Sequence, residues 1–258
     1  QGELARKAAS LDWRLDSPHW TKGGWVQSPL PDAAARWMTD AQWLSAIREY
    51  ADDKERVWLH DRILGGAREL ARALEKRTKE EPERFARLML TLPEDANEHY
   101  FEAVVMGLQD GEVPPELLRQ FVERAHERPG RPHGRWLPQV IARHGDQDLP
   151  GALLDVVSWY ATADPDPAEE LWQQDAGGQG PYFSGDPYEH GINTARGSGA
   201  QAAARLIARD QRYWEHFAPM LERMVADPSI AVRSCVALAC TQALRYDRAT
   251  AIALFLRL

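Results

Sequence analysis

The sequence predicts an all-α chain, an α-solenoid in which helical hairpins stack side by side into an α-α superhelix, and three observations predict it. Convincing period-two alternation is absent, whereas apolar residues recur at helical spacing from residue 32 onward. Two amphipathic segments near the C-terminus meet at Asp227-Pro228, and the second carries Val232-Arg233. A shift of 37 residues then places Ala195-Arg196 on Val232-Arg233, Ala200 on Ala237, Ala203 on Cys240 and Ile207 on Leu244. Small and aliphatic residues therefore recur where one hairpin must pack on the next, because a single hairpin cannot bury its apolar faces alone.

The elements follow in order. Residues 1–31 hold Trp13, Trp20, Trp25, Gly23-Gly24 and three prolines, and read as an irregular cap whose indoles cover the first helices. Thr39 with Gln42 forms a capping box that opens a helix through Trp43, Ile47 and Tyr50. Gly65-Gly66 precedes a helix through Leu70, Ala71 and Leu74 that ends near Lys79, with Ala67-Arg68 as a weaker third instance of the repeat. Pro82, at a first-turn position, starts another with Phe85, Leu88, Met89 and Leu92 on one face. Further helices are expected over 97–109, 114–127, 135–144, 149–162, 196–209, 213–226, 229–244 and 248–258. Residues 32–175 thus form a hairpin array, 176–194 a glycine- and proline-rich surface loop, and 195–258 hairpins of HEAT type, expected to continue beyond Leu258.

Composition bounds the function. The net charge of -8 is concentrated: between His144 and Ala195 ten acids occur without one Lys or Arg, which leaves the remainder near +2. An acidic balance argues against a dedicated nucleic-acid binder, since phosphate affinity comes mainly from Lys and Arg. No apolar run approaches membrane-spanning length, and the first residues lack the apolar core of a signal peptide. Cys235 and Cys240, five apart on one expected helix, point in different directions and read as buried thiols of a reducing cytoplasm.

Candidate sites are few. Asp227, Val232, Arg233, Ala195 and Arg196 read as structural repeat positions, with Asp227 capping the second helix and Arg233 laddering with acids of adjacent turns. The same shift puts His190 opposite Asp227, so the earlier repeat lacks the acid and its turn is expected to be held by the long loop. Arg124, Arg128, Arg131 and Arg135 bracket a loop with His126 and His133 nearby; sharply read they grip phosphate, blandly they are solvated charges at a helix joint. Tyr182, Phe183 and Tyr188 sit in the glycine-rich loop, either packing back or meeting a protein partner. Asp164-Pro-Asp-Pro167 lacks the ligand order of a calcium loop and reads as a helix start at Pro167. The eight histidines fall at no metal-ligand spacing, and all five lysines lie outside any phosphate-cradling loop. No catalytic residue, cofactor, metal or obligate small-molecule ligand is expected, and the expected partner is protein.

Several segments together, GGWVQSPLPDAAARWMTDAQWLSAIREY, EPERFARLMLTLPEDANEHYFEAVVMGL, GRWLPQVIARH, GINTARGSGAQAAARL and DPSIAVRSCVALACTQALRYDRATAIALFLRL, resemble the helical-repeat region of large bacterial multidomain proteins that carry a STAND-type or NACHT-like NTPase module. The resemblance covers nearly the whole chain from about Trp25 and rests on repeat packing, not on a catalytic fingerprint. It implies a non-enzymatic interaction, sensor or scaffold region, associated in such proteins with antiphage defence. The competing expectation is a nucleic-acid-binding or DNA-repair enzyme on the same scaffold, with Arg124, Arg128, Arg131 and Arg135 as phosphate grip and Asp164 as the reacting carboxylate.

Overall fold

The computed structural model describes residues 26–53, 57–59, 62–168 and 186–258, and over these the chain is mostly helical. Four first-turn devices show why. Thr39 accepts from the Gln42 amide while the Gln42 side chain accepts from the Thr39 amide, the reciprocal box anticipated from sequence. Pro82 needs no partner at the start of its helix, Asn97 accepts from His99, and Ser229 accepts from Val232. The thirteen helices among the described residues are α1 Asp32–Ala35, α2 Asp40–Glu49, α3 Ala67–Glu80, α4 Pro82–Leu90, α5 Glu98–Leu108, α6 Pro115–His126, α7 Leu137–Arg143, α8 Gly151–Ala163, α9 Pro187–Ile192, α10 Ala195–Ile207, α11 Gln211–Met224, α12 Ile230–Ala243 and α13 Arg248–Phe255.

Three short strands depart from the all-helical expectation. They are β1 Val26–Gln27, β2 Val57–Leu59 and β3 Arg62–Leu64, in the order β1-β3-β2. β1 runs parallel to β3 with Val26 opposite Ile63, and β2 runs antiparallel to β3 with Val57 opposite Leu64. Runs of two or three residues are too short for alternation to register in a sequence, which is why they were not anticipated.

The helices pack in two rows. In one, α3 touches α5, α5 touches α7, α7 touches α10 and α10 touches α12; in the other, α4 touches α6, α6 touches α8 and α8 touches α11. Successive helices cross between the rows, down to α12 against α13. One continuous apolar core runs through both, from Trp43, edge-on to Phe85 at 5.6 Å, to Leu254. One close approach across the rows needs glycine: a Cβ at Gly199 of α10 would lie 2.7 Å from the Ala161 backbone nitrogen of α8.

The expected surface loop over 176–194 is corrected at its end. Pro187–Ile192 is helical, Asp186 caps it by accepting from the Tyr188 and Glu189 amides, and His190 and Gly191 are buried. An Asp-Pro start is a strong N-terminal signal, and the glycines around it masked it. Of the expected helix start over 167–170, Pro167 and Ala168 are not helical and the rest lies outside the described residues. No helix of the described residues is long and apolar enough to cross a membrane.

Candidate functional site

Arg196, in the first turn of α10, reaches out of its own hairpin. Its Nε donates to Asp227 Oδ2 at 2.9 Å and its terminal nitrogens to the carbonyls of Asp164 and Pro167 at 2.9 and 3.1 Å. The ion pair is largely withdrawn from water, with the two side chains 11% and 8% exposed. Asp227 lies in the turn between α11 and α12, so the contact ties one hairpin to the next. Its other oxygen accepts from the Ser229 amide at 2.9 Å. Asp227 therefore does not cap α12, which starts on the Ser229 hydroxyl; it fixes the turn before the helix. Val232 is buried and its amide is the one Ser229 accepts.

Arg233 repeats the arrangement one hairpin later, but with backbone oxygens only and no acidic side chain. It donates to Asp227 O at 2.6 Å, Pro228 O at 3.3 Å and Leu258 O at 3.2 Å. The turn carbonyls of Asp227 and Pro228 thus stand to Arg233 as those of Asp164 and Pro167 stand to Arg196. Leu258 occupies the place that Asp227 fills for Arg196.

The earlier hairpin has its acid after all. Asp166 accepts from the amide of Ala195 through Oδ2 at 2.7 Å and from that of Arg196 through its carbonyl at 3.1 Å. Asp164 closes the same turn by accepting from the Asp166 amide at 2.9 Å, and burial raises its carboxyl above the ordinary carboxylate range. The acids precede the segment 169–185, so a fixed shift from Asp227 lands on His190 and misses them.

The arginine cluster is divided between two tasks. Arg124 donates to Leu92 O at 2.9 Å, and Arg128 donates to Glu94 O at 3.1 Å and to Ala96 O, with its guanidinium 4.1 Å above the Phe101 ring. Both hold the turn between α4 and α5. Arg131, at φ 47°, lies 3.9 Å above the Trp159 ring, and Arg135 lies 4.7 Å above Trp136. His126 sits edge-on to Trp159 and Tyr160, both at 5.0 Å. His133 is 2% exposed, and burial together with the Arg128 charge pulls its imidazole down to about 4. Tyr188 packs against the core and its hydroxyl accepts from Gln201 at 2.9 Å, whereas Tyr182 and Phe183 lie outside the described residues. Cys235 and Cys240 are buried free thiols, pushed up by burial to about 12 and about 11, so neither carries appreciable thiolate.

An unanticipated groove of about 430 Å³ opens on the row containing α3, α5 and α7. Its walls include Arg68 and Arg72 from α3, His99, Glu102 and Met106 from α5, and Trp136 just before α7. His99 Nε2 stands 3.0 Å from Asp53 and Nδ1 3.6 Å from Glu102, so the imidazole is held between two carboxylates. Mixed charge beside an indole and a thioether suits a protein segment better than a phosphate backbone. Its residues come from two helices and the residue that precedes a third, and no local pattern could have grouped them. Comparison with protein-family models, with curated proteins and with solved structures finds no match.

Proposed function

We propose that this chain is a non-catalytic interaction and scaffold region, an α-solenoid of HEAT-like hairpins within a larger NTPase-linked bacterial protein. The observation that carries the reading is the Arg196–Asp227 pair, which joins the first turn of α10 to the turn of the following hairpin. Links of this kind let hairpins be added in series while each contacts only its neighbours. The groove beside Trp136 and Met106 supplies a surface with aromatic and thioether anchors for a protein segment. The nucleic-acid reading receives less support, because Arg124 and Arg128 spend their donors on backbone carbonyls and Asp164 spends its carboxylate on a turn.

Photo-crosslinking in cells that make the entire gene product tests the proposal. A photoreactive side chain at Met106 is expected to capture protein, and one at Glu215, exposed on α11, is expected to capture none. Duplex DNA is expected not to bind the purified chain at physiological salt. Tight DNA binding that weakens steeply with salt and is lost on Arg131→Ala with Arg135→Ala would overturn it.

A further inference from the structure

The face shared by α12 and α13 is built like one that is covered elsewhere in the molecule. On α10, Gly197, Ala200, Ala204 and Ile207 are all buried, and α10 is the helix that α12 packs upon. The 37-residue shift carries these positions to Ser234, Ala237 and Thr241 of α12 and to Leu244 just after it, where the first two are half-buried and the last two exposed. α13 adds a second apolar stripe. Ala251 and Leu254 face the core, while Ile252, Phe255 and Leu256, one helical step around, are 40%, 52% and 79% exposed. Arg233 completes the parallel, since Leu258 stands where its equivalent, Arg196, has the Asp227 carboxylate.

We propose that the α12–α13 face docks one more helix of the row that contains α10 and α12, amphipathic, with a small-residue face like that of α12 and an acid just before its N-cap. The acid would meet Arg233, the small residues would lie on Ala237 and Thr241, and the opposite edge would cover Ile252 and Phe255. α12 begins where α13 ends, as the Arg233–Leu258 bond shows. The docked helix therefore enters beside Leu258 and runs antiparallel to α13, as α12 does. The inference rests on the stacked-hairpin reading above.

The test extends the chain after Arg257 with a copy of residues 227–245, which supplies an acid at the Leu258 position followed by a capped helix, and compares it with a scrambled copy. The faithful copy is expected to raise the melting temperature by at least about 4 °C over the scrambled one. Phe255→Glu is expected to leave the original chain unchanged and to lower the melting temperature of the extended one, and Arg233→Ala to cost more in the extended chain than in the original. Equal melting of the two extensions, with Phe255→Glu neutral in both contexts, would overturn the proposal. Sedimentation of the original chain as a dimer that Phe255→Glu dissociates would overturn it in favour of a second copy. If Arg196 and Asp227 remain coupled while the extension fails to dock, the stacked-hairpin reading stands and this inference alone falls.

Discussion

Lowering the pH from 7 to 5 is expected to weaken this fold through His133. The side chain is 2% exposed, stacks 6.4 Å from the Phe101 ring, and has no partner at Nε2. Its imidazole is pulled down to about 4 in the fold, against about 6.5 for an unfolded chain. The unfolded chain therefore takes up the proton first. The stabilising contribution of the neutral ring is present in full above about pH 6.5 and is lost as the pH falls towards about 4. At 1.36 kcal/mol per unit, the loss is roughly 2 kcal/mol at pH 5 and about 3 kcal/mol at its limit. His126 and His144 are lowered by burial as well and act in the same sense. Glu81 and Asp247, held below the carboxylate range by hydrogen bonds from Arg77 and Thr250 respectively, contribute only at more acidic pH, whereas Asp164, raised by burial, acts in the opposite sense, so it is the difference between parent and variant over pH 5 to 7 that isolates His133. Urea unfolding of the parent and of His133→Gln across that window measures the effect. The variant is expected to lose up to about one proton's worth of slope. Identical pH slopes for the two proteins would refute the reasoning.

Three further outcomes are expected. Gly199→Ala forces a methyl to within 2.8 Å of Ala161 Cα and should cost about 1–3 kcal/mol in urea unfolding; a neutral result would mean that α8 and α10 can separate freely. Arg233→Ala should lower the melting temperature more than Arg248→Ala, because Arg233 donates to three backbone oxygens while Arg248 is an exposed first-turn residue, and equal shifts would contradict this. Arg128→Ala removes two carbonyl partners and the Phe101 stack and should cost roughly 2 kcal/mol. No change in stability on that substitution would return Arg128 to the role of a free cation.

Helix positions were legible because their signals are local. Thr39 with Gln42, Pro82 and the small-residue pattern of 229–244 place helix starts within a residue or two of those observed. What failed to show depends on chain remote in sequence. Asp227 lies next to Arg233, so the nearby pairing suggests itself, yet the carboxylate is taken by Arg196, 31 residues earlier. The acids of the preceding hairpin were hidden because the segment 169–185 separates them from the helix they serve. The arginines at 124–135 read as a single patch, but the first two hold a turn and the last two lie over a pair of indoles. Helix α9 was lost to its glycine-rich surroundings, and the strands to their brevity.

The stacking of hairpins through Arg196 and Asp227 is tested most directly by a double-mutant cycle. Breaking a buried pair costs about 3–5 kcal/mol when the surviving charge has no other partner. Arg196 keeps the carbonyls of Asp164 and Pro167, so Asp227→Ala should cost less, about 2–3 kcal/mol. Urea unfolding of Arg196→Met, Asp227→Ala and the double variant is predicted to give a coupling energy above about 1 kcal/mol, with the double variant less destabilised than the sum of the singles. Additive losses, within about 0.3 kcal/mol, would contradict the claim that this pair joins one hairpin to the next.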